Sequence, residues 1–144
     1  MSIKSNEVRR GNLVMYNGTI ETVYSITESG CSFFRYKTKN GCVTNSYVWN
    51  AIEGIFLTEE WLNKFRFSFG GSLNYRFITI DITATTESYL FCNDPKSNGD
   101  FIYGICITEL DGIELSIPLP HIKHVHELQN LYFSLMGVEI TPIK

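Results

Sequence analysis

The chain lacks the short motifs that announce most enzymes. Its 144 residues hold no phosphate loop of the G-x-x-x-x-G-K-[ST] or G-x-G-x-x-G kind and no G-x-S-x-G nucleophile elbow. The four cysteines, Cys31, Cys42, Cys92 and Cys106, have no C-x-x-C spacing, so a zinc ribbon is excluded and four reduced thiols are expected. No run approaches the roughly 18 apolar residues of a membrane helix. The opening "MSIKSNEVRRG" has no apolar centre of the kind a signal peptide needs. The expectation is therefore a soluble cytoplasmic protein with no membrane partner. Twelve basic against fifteen acidic side chains give a net charge of −3 and no global attraction for nucleic acid, although a local basic strip stays open.

Aromatics, by contrast, are plentiful: ten Phe, eight Tyr and two Trp. Together with 44% apolar residues they indicate a folded domain. The first half reads as short strands. Asn17 and Gly18 separate "NLVMY" from "TIETVYSI", and Asn40 and Gly41 separate "CSFFRYKTK" from "CVTNSYVW". Both pairs tolerate positive φ, which two-residue hairpins require. A two-residue turn at Asn40 and Gly41 sets Lys39 opposite Cys42 and Cys31 opposite Asn50, which keeps Cys31 and Cys42 apart. In that register Phe34, Tyr36, Val43, Tyr47 and Trp49 share one face, and Arg35, Lys37, Lys39, Thr44 and Ser46 share the other.

After "IEGIFL", read as a further strand, Thr58 is a suitable N-cap for a short helix carrying Trp61, Leu62 and Phe65. "FGGS" then breaks the chain. The expected division is residues 1–66, a small β-barrel with a short helix, and 67–144, an antiparallel meander with a C-terminal helix, the two forming one compact unit. In the long strand "LNYRFITIDITA" the apolar phase changes near Phe77, which predicts a bulge or burial on both faces. The last segment, "HIKHVHELQNLYF", follows "PLP" and reads as a helix: Val125, Leu128, Tyr132 and Leu135 repeat at helical spacing, and Gly137 suits a left-handed cap. The fold class is mainly β with minor α.

That helix holds all three histidines. On a continuous helix His121 and His124 share a face while His126 points elsewhere. The H-E-x-x-H pattern is absent, so the segment reads as a docking helix, with His121 and His124 as weak metal candidates and His124 with Glu127 as a local pH-sensitive pair. The loop from Asp94 to Asp100 fails as a calcium loop because Lys96 and Ile105 stand where ligands are needed. No cofactor and no catalytic residue is expected. The aromatic hairpin is the remaining candidate. Phe34, Tyr36, Tyr47 and Trp49 are either core or stacking platforms for a planar ligand, with Arg35, Lys37 and Lys39 near enough to meet phosphate.

Three blocks, "RRGNLVMYNGTIETVYSI", "LTEEWLNKF" and "HIKHVHELQNLYFSLMGVEI", resemble in order and spacing a family of small uncharacterised proteins from gut Bacteroidales and their phages or mobile elements. The opening block also resembles the strand-turn-strand of an SH3-like barrel. The resemblance implies an origin, and a host-cell cytoplasm for a phage-encoded chain, but carries over no catalytic residue. Three functions are weighed in this order. The first is a non-catalytic binding protein that sequesters a nucleotide-like immune signal, acting as a homo-oligomer. The second is an adaptor for a host protein or nucleic acid, and the third is a metal-dependent hydrolase using His121, His124 and Glu127.

Overall fold

A computed structural model of the chain describes residues 3–69, 75–83, 86–93, 102–108, 114–119 and 122–143. The chain divides into two units, Met1–Phe56 with His124–Leu131, and Leu57–Lys123 with Tyr132–Lys144. The division thus falls ten residues before the expected one, places the short helix in the second unit, and returns the start of the C-terminal helix to the first. The fold is mainly β, as expected. Among the described residues no helix is long and apolar enough to cross a membrane.

The first unit contains β1 (Leu13–Tyr16), β2 (Thr19–Ile26), β3 (Gly30–Thr38), β4 (Gly41–Val48) and β5 (Ile52–Glu53). They form one antiparallel sheet in the order β4-β3-β2-β1-β5. Asn17 (φ 47°) and Gly18 (φ 74°) make the first hairpin, both left-handed as the two-residue turn demands. A single 3-10 turn, Trp49–Ala51, links β4 to β5. β2 carries a bulge between Val23 and Ser25. No ladder joins β4 to β5 among the described residues, so the sheet is not a closed barrel. Its core is Ile3, Val8, Val14, Val23, Cys31, Phe33 and Ile52, flanked by Tyr16, Tyr47 and Trp49.

The second hairpin departs from the expected register. Thr38 pairs with Gly41, so Lys39 and Asn40 form the turn and Lys37 faces Cys42. The Thr38 hydroxyl explains the shift: it donates to the Gly41 carbonyl at 3.0 Å and accepts the Asn40 amide at 3.3 Å. A hydroxyl-closed turn of this kind competes with the Asn-Gly type. A bulge at Arg35 then slips the ladder once more, and Cys31 faces Tyr47 instead of Asn50.

In the second unit, β6 (Ser68–Phe69), β7 (Tyr75–Thr83), β8 (Thr86–Asn93), β9 (Ile102–Thr108) and β10 (Glu114–Pro118) form an antiparallel meander in sequence order. α1 (Glu59–Lys64) starts after Thr58, whose side chain makes no capping bond. The register is regular at Phe77, which faces Phe91, and shifts only between Ile80 and Thr83. The phase change in the sequence is thus not a bulge. Arg76 and Ile80 are both buried, so Arg76 occupies the inward row of β7, where it binds Asn63 Oδ1 at 2.8 Å and the Glu59 carboxylate. Of the two expected causes, burial on both faces holds: the adjacent Phe77 and Ile78 are both half-buried, and the buried Arg76 guanidinium breaks the polar alternation.

α2 (Val125–Met136) ends on Gly137 at φ 68°, as expected, with the Gly137 amide donating to the Phe133 carbonyl at 2.8 Å. It begins later than expected. Ile122 and Lys123 are not helical, and His124 forms an isolated β-bridge with Phe56.

Candidate functional site

The bulge at Arg35 decides where the aromatic candidates go. On β4, side chains alternate, so Val43, Asn45 and Tyr47 share one face and Cys42, Thr44 and Ser46 the other. Phe33 faces Asn45 and Cys31 faces Tyr47, which puts Phe33 and Tyr47 on the core side. Their rings stack at 5.1 Å, and Tyr16 closes on Tyr47 at 4.1 Å. These three rings occupy one another, so they are core and not a cage. Trp49 packs on the same cluster and donates its indole N–H to the Thr27 carbonyl at 3.2 Å.

Arg35, expected on the wet face with Lys37 and Lys39, lies instead across this cluster. Its guanidinium sits 5.7 Å from the Phe33 ring and donates to both Glu21 carboxylate oxygens, at 2.9 and 3.0 Å. It also approaches the Tyr47 hydroxyl at 3.4 Å. That contact, followed by the amide of Asn45, holds the Tyr47 phenol below its ordinary pKa. With Glu21 already across it, Arg35 is a poor phosphate ligand.

Phe34 turns the other way. It faces Thr44 and therefore shares a side with Cys42 and Lys37, and 44% of it is exposed. Tyr24, the bulged residue of β2, lies 5.8 Å from it, with the Arg10 guanidinium 4.8 Å over the Tyr24 ring. A hydrogen bond with the Cys42 thiol raises the Tyr24 pKa. Tyr36 and Lys39 are exposed at the hairpin end. The seven candidates thus separate. Phe34 and Lys37 lie on the outer face, Arg35, Tyr47 and Trp49 are engaged with the core, and Tyr36 and Lys39 sit at the tip. Tyr24 and Arg10 are additions that no sequence spacing marked, because a bulge brings them in.

The histidine segment also differs from expectation. His121 lies outside the described residues. His124 precedes the helix, and its amide donates to Glu127 Oε2 at 2.9 Å, half of a capping box that sets the helix start. This break in the helix overturns the expected spacing, for His126 does not point elsewhere. The two imidazoles stack at 5.4 Å, and ligand atoms of His124, His126 and Glu127 lie within 4.8 Å of one another. His126 is buried, and that burial holds its pKa below the ordinary histidine value.

The most distinctive residues of the closing block have a structural duty. Gln129 is buried and joins α2 to Gly11 and Leu13, Arg9 donates to the Gln129 carbonyl at 3.0 Å, and Asn130 donates to the Glu7 carbonyl at 2.8 Å. This is docking, as expected for the helix, but onto the segment before β1. The second unit has an open cleft of about 480 Å³ beside Arg66, Tyr132 and Glu139, without convergent catalytic groups among its lining residues. Comparison with protein-family models, curated proteins and solved structures finds no match.

Proposed function

We propose that the chain is a non-catalytic binding protein of phage or mobile-element origin that holds a planar anionic ligand of the nucleotide class. The supporting observation is the exposed ring of Phe34 beside Tyr24, flanked by Arg10 and Lys37 on the outer face of β2 and β3. An exposed ring offers a π-face on which a base stacks, a contact of about 1–3 kcal/mol, while guanidinium and ammonium groups meet phosphate. The likeness to mobile-element proteins is the reason for preferring a nucleotide-like signal among planar anions.

Isothermal titration with cyclic dinucleotides and ADP-ribose derivatives tests the reading. Saturable heat with the natural chain, and binding weaker by about 5- to 150-fold with Phe34→Ala, is the expected pair of results. No heat with the natural chain removes the proposal. Binding to RNA or DNA that weakens steeply with salt would favour the adaptor instead.

A further inference from the structure

We propose that His124, His126 and Glu127 form a binding site for a divalent transition-metal ion, zinc being the ion that the donor set suits. The site uses other residues than the aromatic face, so the two proposals stand or fall separately.

Two imidazoles and one carboxylate are the ligand set of a three-residue zinc site with an open fourth position. Imidazole also selects against calcium and magnesium, which take oxygen. Here the three candidate ligand atoms already lie within 4.8 Å of one another. Around zinc at ~2.0–2.1 Å, tetrahedral ligand atoms stand roughly 3.3 Å apart, so they close by at most about 1.5 Å.

Independent of that proximity, His126 is only 2% exposed and its Nδ1 has no hydrogen-bond partner. Buried polar atoms are rarely left so, because each costs about 1–3 kcal/mol. A coordinated ion removes that cost. A carboxylate has about four lone-pair positions, and Glu127 Oε2 meets the His124 amide at 2.9 Å and the His124 Nδ1 at 3.5 Å.

The site is also built from the backbone outward. Val125 donates to the Ile55 carbonyl at 2.9 Å, and the bridge between Phe56 and His124 fixes the preceding residue. The His124 ring has Phe56 at 5.2 Å and, against it, the bare backbone of Gly54, where a Cβ would come within 2.5 Å of Cδ2. Only glycine leaves room for the imidazole there.

Chelator-treated full-length protein titrated with Zn²⁺ by calorimetry, and with Co²⁺ by visible absorption, decides the matter. The expected result is one ion per chain, ligand-field bands of a four- or five-coordinate cobalt, and no binding of Ca²⁺ or Mg²⁺. Even partners that only orient a metal ligand are worth 10–100-fold in affinity, so losing a ligand in His124→Ala or Glu127→Gln should cost more than about 100-fold. His126→Ala tests the buried ligand. Should that variant fail to fold, the other two decide, since both side chains are more accessible, 16% and 39% exposed. No saturable Zn²⁺ binding by the natural chain, or equal binding by His124→Ala and Glu127→Gln, overturns the proposal.

Discussion

Gln129 and Leu13 are joined across 116 positions of sequence: the Gln129 Oε1 accepts the Leu13 amide at 2.8 Å. The same side chain offers its Nε2 to the Gly11 carbonyl at 3.4 Å. One buried amide on α2 thus satisfies backbone groups of the arm that leads into β1. Gln129→Leu keeps the volume but leaves the Leu13 amide without this acceptor. The expected loss is about 1–3 kcal/mol, read as a lower urea midpoint with an unchanged slope. A midpoint unaltered by Gln129→Leu would show that the amide is not needed for docking.

Phe33 and Phe34 are neighbours in sequence with opposite duties. Phe33 is fully buried between Tyr16 and Tyr47, whereas Phe34 lies largely in the open. Phe33→Ala is expected to cost about 3–5 kcal/mol. Phe34→Ala should cost under about 1 kcal/mol, as surface changes usually do. Chemical denaturation of the two variants side by side checks the register directly. The hairpin read from Asn40 and Gly41 puts Phe33 on the wet face with Arg35, so it does not give Phe33→Ala the larger cost.

Much of the architecture was legible where local chemistry and tertiary packing agree. Asn17 and Gly18 made their hairpin, Gly137 capped its helix, and the second half formed the expected meander. Two of the errors, at Thr38 and Glu127, share a cause, a side chain acting on the backbone over a few residues. Thr38 closed a turn earlier than the Asn-Gly pair predicted. The phase change near Phe77 reads as a bulge or burial on both faces, and the second holds, with Phe77 and Ile78 both half-buried beside the inward Arg76. Glu127 stood three residues after His124, the spacing of a capping box, yet was read only as a charge pair. Reading it as a cap would have started the helix at Val125 and freed His124 to approach His126. The Tyr24 and Phe34 face was not legible at all, since a bulge leaves no mark in a single sequence.

Cys31 and Cys42 are both free thiols in opposite environments, one buried and one exposed. Burial pushes the Cys31 thiol from 9.0 up to about 11. A thiol that ionises later in the folded chain than in the unfolded one favours unfolding as pH rises between those two values. The natural chain should therefore lose stability relative to Cys31→Ala from about pH 9 upward, and the two should run parallel below it. Urea midpoints at about pH 8 and pH 10.5 measure this difference. At neutral pH, a maleimide should label Cys42 in the folded chain and leave Cys31 untouched until the chain unfolds.

Gly54 and His124 form a tight fit that a single substitution can probe. An added Cβ on Gly54 would lie 2.5 Å from Cδ2, 2.9 Å from Cγ and 3.1 Å from Nε2 of the imidazole. The ring is poorly placed to yield, with Phe56 at 5.2 Å and His126 stacked at 5.4 Å. Overpacking of this kind costs about 1–3 kcal/mol, so Gly54→Ala should destabilise the chain by that amount. In a His124→Ala background the space is already cleared, and the same substitution should cost almost nothing. The resulting coupling, of order 1–2 kcal/mol, is measured by a double-mutant cycle in chelator, so that no metal enters the comparison. Additive losses would mean that the imidazole does not rest on Gly54, and the backbone support argued for the metal site would go with it.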